Sequence, residues 1–232
     1  MKGFLRTMPA LLLVLGPAAP AQIQEKGTLS RNRVLKAASV APTVQVGADM
    51  TWLKNVQLHT ADGREFTFRE FLPRPKGEEM GQGSLFVISF WSCKCPWSKA
   101  WDTALSAIAR DYAGQGVRVI GIDSNKTETV KEINRYRKKE SIPFPVLIDP
   151  GNKLADRFGA KTTPHIFLVN RDGKVVYTGA IDNDARRTLE PGKRQTWLRD
   201  ALDAVLAGKE VPKTETAPVG CGIQRVSAKV KS

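Results

Sequence analysis

The feature that most constrains the fold of this chain is a Cys-Pro pair placed between an apolar strand and a helix. Residues 85–91 form an apolar run that predicts a buried strand, and apolar residues recur at helical spacing over residues 96–112. Cys95 therefore lies at a strand-to-helix turn, where unpaired backbone N–H groups and the positive end of the helix dipole favour a thiolate. Because the thiolate is the reactive form, this position predicts a nucleophilic sulfur at Cys95 rather than a buried structural one.

Strand and helix patterns alternate along the rest of the chain. They predict further strands at residues 55–59, 64–68, 117–122, 144–148, 166–170 and 174–179, and further helices at residues 127–139, 152–158 and 196–207. Strands that alternate with helices predict a mainly parallel sheet, and the last two strands, around Arg171-Asp-Gly173, predict an antiparallel hairpin. The expected fold class is α/β, with a central mixed sheet and helices on both faces.

The segments outside this pattern predict an exported protein with one folded domain. Residues 1–21 have the basic start, short apolar run and small-residue cleavage site of a signal peptide, and the run is too short to span a bilayer. Residues 22–47 predict a polar N-terminal extension, residues 48–207 the domain, with a loop at 76–83, and residues 208–232 a flexible tail. The expected location is the periplasm or the outside of the cell, with no stable membrane insertion after cleavage.

Three cysteines, Cys93, Cys95 and Cys221, give an odd count, which suits redox exchange better than a framework of structural disulfides. The net charge is +13, but the lysines and arginines are spread along the chain and form no arginine-rich block. We therefore expect no nucleic-acid partner.

A second motif, Lys161-Thr-Thr-Pro-His165, directly precedes the predicted strand at residues 166–170. With Cys95 at the end of the first central strand, this order of elements resembles the thioredoxin fold, in which a cis-proline packs beside the reactive cysteine, and Pro164 matches that proline. More narrowly, the chain resembles peroxiredoxin-like redoxins related to alkyl hydroperoxide reductase. The matching segments are residues 90–100, 116–125, 143–149, 158–183 and 215–221.

The resemblance implies that Cys95 is the attacking thiol and that Pro164 shapes the site around it. It also implies that Ser92, three residues before Cys95, hydrogen-bonds the thiolate and orients a peroxide. The arginine that peroxiredoxins use to hold thiolate and peroxide has no equivalent beside Pro164, because the nearby Lys161 lacks the planar guanidinium fork.

The second cysteine of a thioredoxin Cys-x-x-Cys motif is replaced by Ser98, so the resolving thiol must come from another part of the chain. Cys221 is the preferred candidate because it lies on the predicted tail between two glycines that allow close approach. Cys93 is the alternative, although a disulfide between Cys93 and Cys95 would be strained and easily reduced. A free or intermolecular thiol at Cys221 also stays open.

We therefore expect a thiol-based oxidoreductase that attacks a peroxide or a protein disulfide, needs no cofactor and takes electrons from an external thiol donor. Trp97 and Thr163 are the expected substrate contacts. One alternative is a copper-binding protein that uses Cys93, Cys95 and His165, since sulfur and imidazole are suitable copper ligands. The other alternative is a non-catalytic binding domain with the same fold.

Overall fold

The computed structural model describes residues 44–72 and 84–226. The predicted signal peptide, the predicted loop at 76–83 and residues 22–43 of the predicted extension lie outside the described residues. Within the described part, no helix has the length and the apolar character that crossing a membrane requires.

A mixed sheet forms the centre of the domain. Its strands are β1 (Gln57–Thr60), β2 (Glu65–Thr67), β3 (Leu85–Phe90), β4 (Val117–Asp123), β5 (Val146–Ile148), β7 (His165–Val169) and β8 (Val175–Gly179), and β6 (Thr162–Thr163) and β9 (Cys221–Gly222) form a second, small sheet. The order in the large sheet is β2-β1-β5-β4-β3-β7-β8, with β3, β4 and β5 parallel and the other neighbours antiparallel. The predicted α/β class, the mixed sheet and the β7–β8 hairpin are confirmed. The expectation of a mainly parallel sheet is wrong, because only two of the six pairings between the described strands of the large sheet are parallel.

Four α-helices cover the two faces of this sheet in the described part of the chain. They are α1 (Pro96–Asp111), α2 (Val130–Lys139), α3 (Lys153–Phe158) and α4 (Trp197–Leu206). Side chains of β3 point alternately to two hydrophobic clusters: Leu85 and Val87 pack with α1, α2 and α4, while Phe86 and Ile88 pack with α3 on the opposite face. This arrangement is the thioredoxin-like fold that the sequence resembles.

Helix boundaries follow local capping chemistry. Helix α2 begins at Val130, three residues later than predicted, because Thr129 and Glu132 form a reciprocal capping box that fixes the first turn there. The carboxylate of Asp149 accepts hydrogen bonds from the backbone N–H groups of Leu154 and Ala155 and so caps the first turn of α3.

The predicted flexible tail differs from the structure, because residues 208–226 are packed on the domain. The backbone of Thr178 accepts a hydrogen bond from Thr216 N–H at 3.0 Å and donates one to the Thr214 carbonyl at 3.0 Å. Further along, Ile223 is buried in the core and its N–H donates to the Lys161 carbonyl. These partners are distant in sequence, so the Pro- and Lys-rich composition of the segment did not reveal them; residues 227–232 lie outside the described residues.

Candidate active site

Cys95 lies at the N-cap of α1, directly before Pro96 at the first helical position. The turn that carries it is held by Ser92, whose Oγ accepts the backbone N–H of Cys95 at 2.9 Å and that of Lys94 at 3.2 Å. The Ser92 hydroxyl donates its own hydrogen to the carboxylate of Glu128. The hydroxyl hydrogen therefore points to Glu128 and not to Cys95 Sγ, where the resemblance to peroxiredoxins placed it, and Ser92 fixes the turn.

The C-terminal segment brings a second sulfur to Cys95. Strand β9 pairs antiparallel with β6 and sets Cys221 opposite Thr163. The Sγ atoms of Cys95 and Cys221 lie 2.6 Å apart, and Cys95 Sγ is 2.9 Å from the Thr163 carbonyl oxygen. The Thr163–Pro164 peptide bond is cis, as the resemblance to thioredoxins implies. Two cysteines that are 126 positions apart in sequence thus meet at the start of α1.

Gly220 allows this approach. A Cβ atom at position 220 would lie 2.2 Å from the Thr163 carbonyl oxygen and 3.0 Å from the Pro164 nitrogen, so any side chain there would push the segment away from β6. Gly222, on the other side of Cys221, has no heavy atom within 4 Å of the equivalent position. Of the two glycines that flank Cys221, the first one therefore permits the contact.

The two sulfurs of the pair are electrostatically unequal. Burial opposes ionisation of Cys95, but hydrogen bonds from the Cys221 thiol, from the Thr163 side chain and from the backbone N–H of Ser98 outweigh it and lower the Cys95 pKa. Burial and then the neighbouring Cys95 raise the pKa of Cys221 to about 11. Cys95 is thus the first of the two to become a thiolate, with Cys221 S–H as a donor to it.

Cys93 has different neighbours. Its backbone N–H donates to Glu128 Oε2 at 2.7 Å, and its thiol also lies against the Glu128 carboxylate. Burial, followed by the negative charge of Glu128, raises the Cys93 pKa far above its ordinary value. Cys93 is therefore held as a thiol on the side of the turn that faces α2, which disfavours it as the resolving cysteine.

Glu128 is the site residue that the sequence reasoning missed. It holds the turn through Ser92 and Cys93, and it lies beside Asp123, whose pKa is raised to about 9 by burial and then by Glu128. Asp123 also caps the turn after β4, since its Oδ1 accepts the Asn125 N–H at 2.8 Å. No spacing rule marks Glu128 in the sequence, because it lies 36 positions beyond Ser92 on a loop after β4.

His165 is engaged within the protein by both ring nitrogens. Its Nδ1 accepts the Lys161 N–H, which leaves the ring proton on Nε2, and this proton points to the Thr178 hydroxyl at 3.3 Å. Burial and then Lys161 lower the His165 pKa to about 4. Residues 44–72 and 84–226 contain no group of three His, Cys, Asp or Glu side chains placed to hold a metal ion. The copper alternative with Cys93, Cys95 and His165 is therefore not favoured.

The two expected substrate contacts differ. The Thr163 side chain is buried and its backbone pairs with Cys221, so this chain's own segment occupies the place where a substrate contact was expected. Trp97 is half-buried and donates its backbone N–H toward Cys221. It lines a groove of about 350 Å³ together with Ala185, Leu189 and Val219, of which Val219 is 40% exposed.

Comparison with known proteins places this geometry in context. The thiol-disulfide oxidoreductase ResA of Halalkalibacterium halodurans is 25% identical over 129 residues, which cover 55% of this chain and 66% of that relative, just under two thirds of its length. A crystal structure of a hypothetical protein from Sinorhizobium meliloti is 31% identical with a TM-score of 0.66, and covers 80% of this chain and 97% of its own. An uncharacterized conserved protein from Geobacillus kaustophilus is 25% identical with a TM-score of 0.68, and covers 81% and 95%.

The AhpC/TSA family profile matches residues 53–178. This range includes Cys93, Cys95 and Pro164 but ends before Cys221. The match spans more than half of the sequence, and the chain therefore belongs to the AhpC/TSA family.

Proposed function

We propose that this protein is a thiol-disulfide oxidoreductase whose redox-active pair is Cys95 and Cys221. The observation that carries the proposal is the 2.6 Å approach of the two sulfurs at the N-terminus of α1. The similarity to ResA of Halalkalibacterium halodurans, which is named a thiol-disulfide oxidoreductase, supports the reaction class. The pair takes the place of the Cys-x-x-Cys dithiol that Ser98 interrupts.

In the proposed reaction the Cys95 thiolate attacks one sulfur of a substrate disulfide, and the other substrate sulfur leaves as a thiolate. Cys221, after losing its proton, then attacks Cys95 Sγ, so that a Cys95–Cys221 disulfide forms and the second substrate sulfur is released. The lowered pKa of Cys95 and the raised pKa of Cys221 suit these roles, since the first step needs a thiolate at neutral pH. An external thiol donor returns two electrons to the pair, and no cofactor takes part.

Two observations favour a disulfide over a peroxide as the substrate. The Ser92 hydroxyl donates to Glu128, so its hydrogen does not face a peroxide beside Cys95. Among the residues that the structure describes, no arginine hydrogen-bonds to Ser92 or Cys95. The signal-peptide pattern of residues 1–21 supports a further part of the proposal, that the reaction takes place outside the cytoplasm, where disulfides persist.

The test compares two substrates under one reductant. Reduced protein is mixed with insulin or with hydrogen peroxide, each in the presence of dithiothreitol, and the fully alkylated protein serves as the blank. We expect faster reduction of the insulin disulfides than with dithiothreitol alone, and little added peroxide consumption. Rapid peroxide consumption without insulin reduction would instead assign a peroxidase, and inactivity toward both would favour the non-catalytic binding domain.

A further inference from the structure

The two sulfurs of the proposed pair differ in how far a reaction partner can reach them. Cys95 is 4% exposed, beneath the C-terminal segment and against the Thr163 carbonyl. Cys221 is partly exposed on the outer strand of the small sheet. A thiol that approaches from solvent therefore meets the sulfur of Cys221 before that of Cys95.

The segment that covers Cys95 is anchored on both sides of Cys221. Before it, Gly220 lies against the Thr163 carbonyl. After it, Ile223 is buried in the core and Gln224 N–H donates to the Asn125 side chain at 2.9 Å. In the reduced protein these contacts are all non-covalent, and attack by Cys95 on a substrate requires that the segment lift from it. A Cys95–Cys221 bond would add a covalent clamp, which keeps Cys95 covered in the oxidised protein.

The chemistry of exchange favours the same sulfur. When a thiolate attacks a disulfide, the reaction is faster if the sulfur that leaves is the more acidic one. Attack on Cys221 makes Cys95 the leaving group, and its thiolate departs at the start of α1, where the Ser98 N–H can donate to it. Attack on Cys95 would instead expel Cys221, which lies on β9 rather than at the N-cap of α1 and whose thiolate is disfavoured by burial.

We propose that electrons enter the oxidised pair at Cys221 and leave the reduced pair at Cys95. This inference rests on the proposed function and divides the two half-reactions between the two sulfurs. The donor is a dithiol: its first thiolate attacks Cys221 Sγ, a donor–Cys221 disulfide forms, and the Sγ–Sγ bond breaks with its electron pair on Cys95. The second donor thiolate attacks the donor sulfur of that mixed disulfide, so that the donor departs as a disulfide and Cys221 takes up a proton.

The experiment traps the first intermediate. Oxidised full-length protein carrying Cys93→Ser is mixed with excess glutathione, quenched in acid at short times, alkylated with N-ethylmaleimide and mapped by mass spectrometry. We expect the form with glutathione on Cys221 and maleimide on Cys95 to exceed the reverse-labelled form about tenfold, because the two sulfurs differ as leaving groups. Glutathione chiefly on Cys95 would overturn the inference. Absence of a Cys95–Cys221 disulfide in the starting protein would instead refute the proposed function.

A rate measurement tests whether the thiol enters from the side of the C-terminal segment. Val219 is 40% exposed two residues before Cys221, and Val130, which is 48% exposed at the start of α2, is the matched control. With the anionic thiol mercaptoethanesulfonate, Val219→Glu should slow reduction about threefold and Val219→Lys should accelerate it, while Val130→Glu has little effect. Equal rates for all these variants would contradict entry at Cys221.

Discussion

Cys93 and Cys95 are separated by one residue, yet their sulfurs have opposite surroundings. Cys95 faces the C-terminal segment, where Cys221, Thr163 and the start of α1 surround it and its pKa is lowered. Cys93 faces the loop before α2, where burial and Glu128 raise its pKa. Groups that are distant in sequence therefore decide which of the two thiols is reactive. The position of a cysteine in the motif does not decide this alone.

The largest expected effect is the difference in activity between the variants that lack Cys95 and Cys93. Cys95→Ser should reduce insulin-reduction activity by roughly three orders of magnitude or more, because the proposed nucleophile is lost. Cys93→Ser should retain activity within a few-fold, since Cys93 lies against Glu128 rather than in the pair. The measurement is the initial rate with dithiothreitol as donor. Equal losses in both variants would show that the two sides of the turn act together.

The next effect tests the segment that brings Cys221 to Cys95. Gly220→Ala places a Cβ 2.2 Å from the Thr163 carbonyl oxygen and should slow formation of the Cys95–Cys221 disulfide about ten- to a hundredfold. Gly222→Ala, with open space at that position, is the matched control and should form the disulfide at the parent rate. The unfolding midpoints of both variants are measured as well, to detect a loss of stability. Disulfide formation at the parent rate in Gly220→Ala would contradict the claim that Gly220 permits the contact between Cys221 and Cys95.

The pH dependence of alkylation tests the electrostatic difference directly. A lowered pKa increases the thiolate fraction at neutral pH, so Cys95 in the reduced protein should reach half-maximal reactivity with iodoacetamide below about pH 8.5, the value of free cysteine. Cys93, with its raised pKa, should stay unmodified through the neutral range and gain reactivity only in strong alkali. Peptide mapping gives both curves from one sample. A Cys93 curve that coincides with that of Cys95 would contradict the account.

The smallest expected effect concerns Glu128. Glu128→Gln keeps a hydrogen-bond acceptor for Cys93 N–H but removes the charge, so the Cys93 pKa should fall and its alkylation rate rise about two- to threefold at pH 9. The rate of Cys95–Cys221 disulfide formation should change less than twofold, an order-of-magnitude expectation for a group on the other side of the turn. Glu140→Gln, at the opposite end of α2, serves as the control. A larger effect on Cys95 than on Cys93 would reverse this assignment.

Much of the fold could be predicted from the sequence because its signals are local. The apolar run of β3, the helical spacing of α1 and the turn Arg171-Asp-Gly173 each lie within one short segment, and the structure confirms the elements that they predict. The position of Cys95 before Pro96 and the proline before β7 pointed to the candidate site for the same reason, because each is a local signal. Element boundaries shifted by a few residues where caps decided them, as at Thr129.

The rest of the site depends on contacts between distant segments, and a single sequence carries little signal for those. The pairing of β6 with β9 joins two dipeptides that have no strand pattern of their own. The order of residues 208–226 comes from backbone hydrogen bonds to β8 and from one buried isoleucine, Ile223, in an otherwise polar stretch. The glycine at position 220 was a usable clue to close approach, whereas Glu128 carried none.

The most direct test of the central claim is a disulfide map of the full-length protein, made after reduction and then again after one equivalent of oxidised dithiothreitol or hydrogen peroxide. The account predicts one intramolecular link, between Cys95 and Cys221, with Cys93 recovered as a free thiol. A link between Cys93 and Cys95, or three unchanged thiols, would contradict it, because the sulfurs that the structure places 2.6 Å apart would then not be the reacting pair.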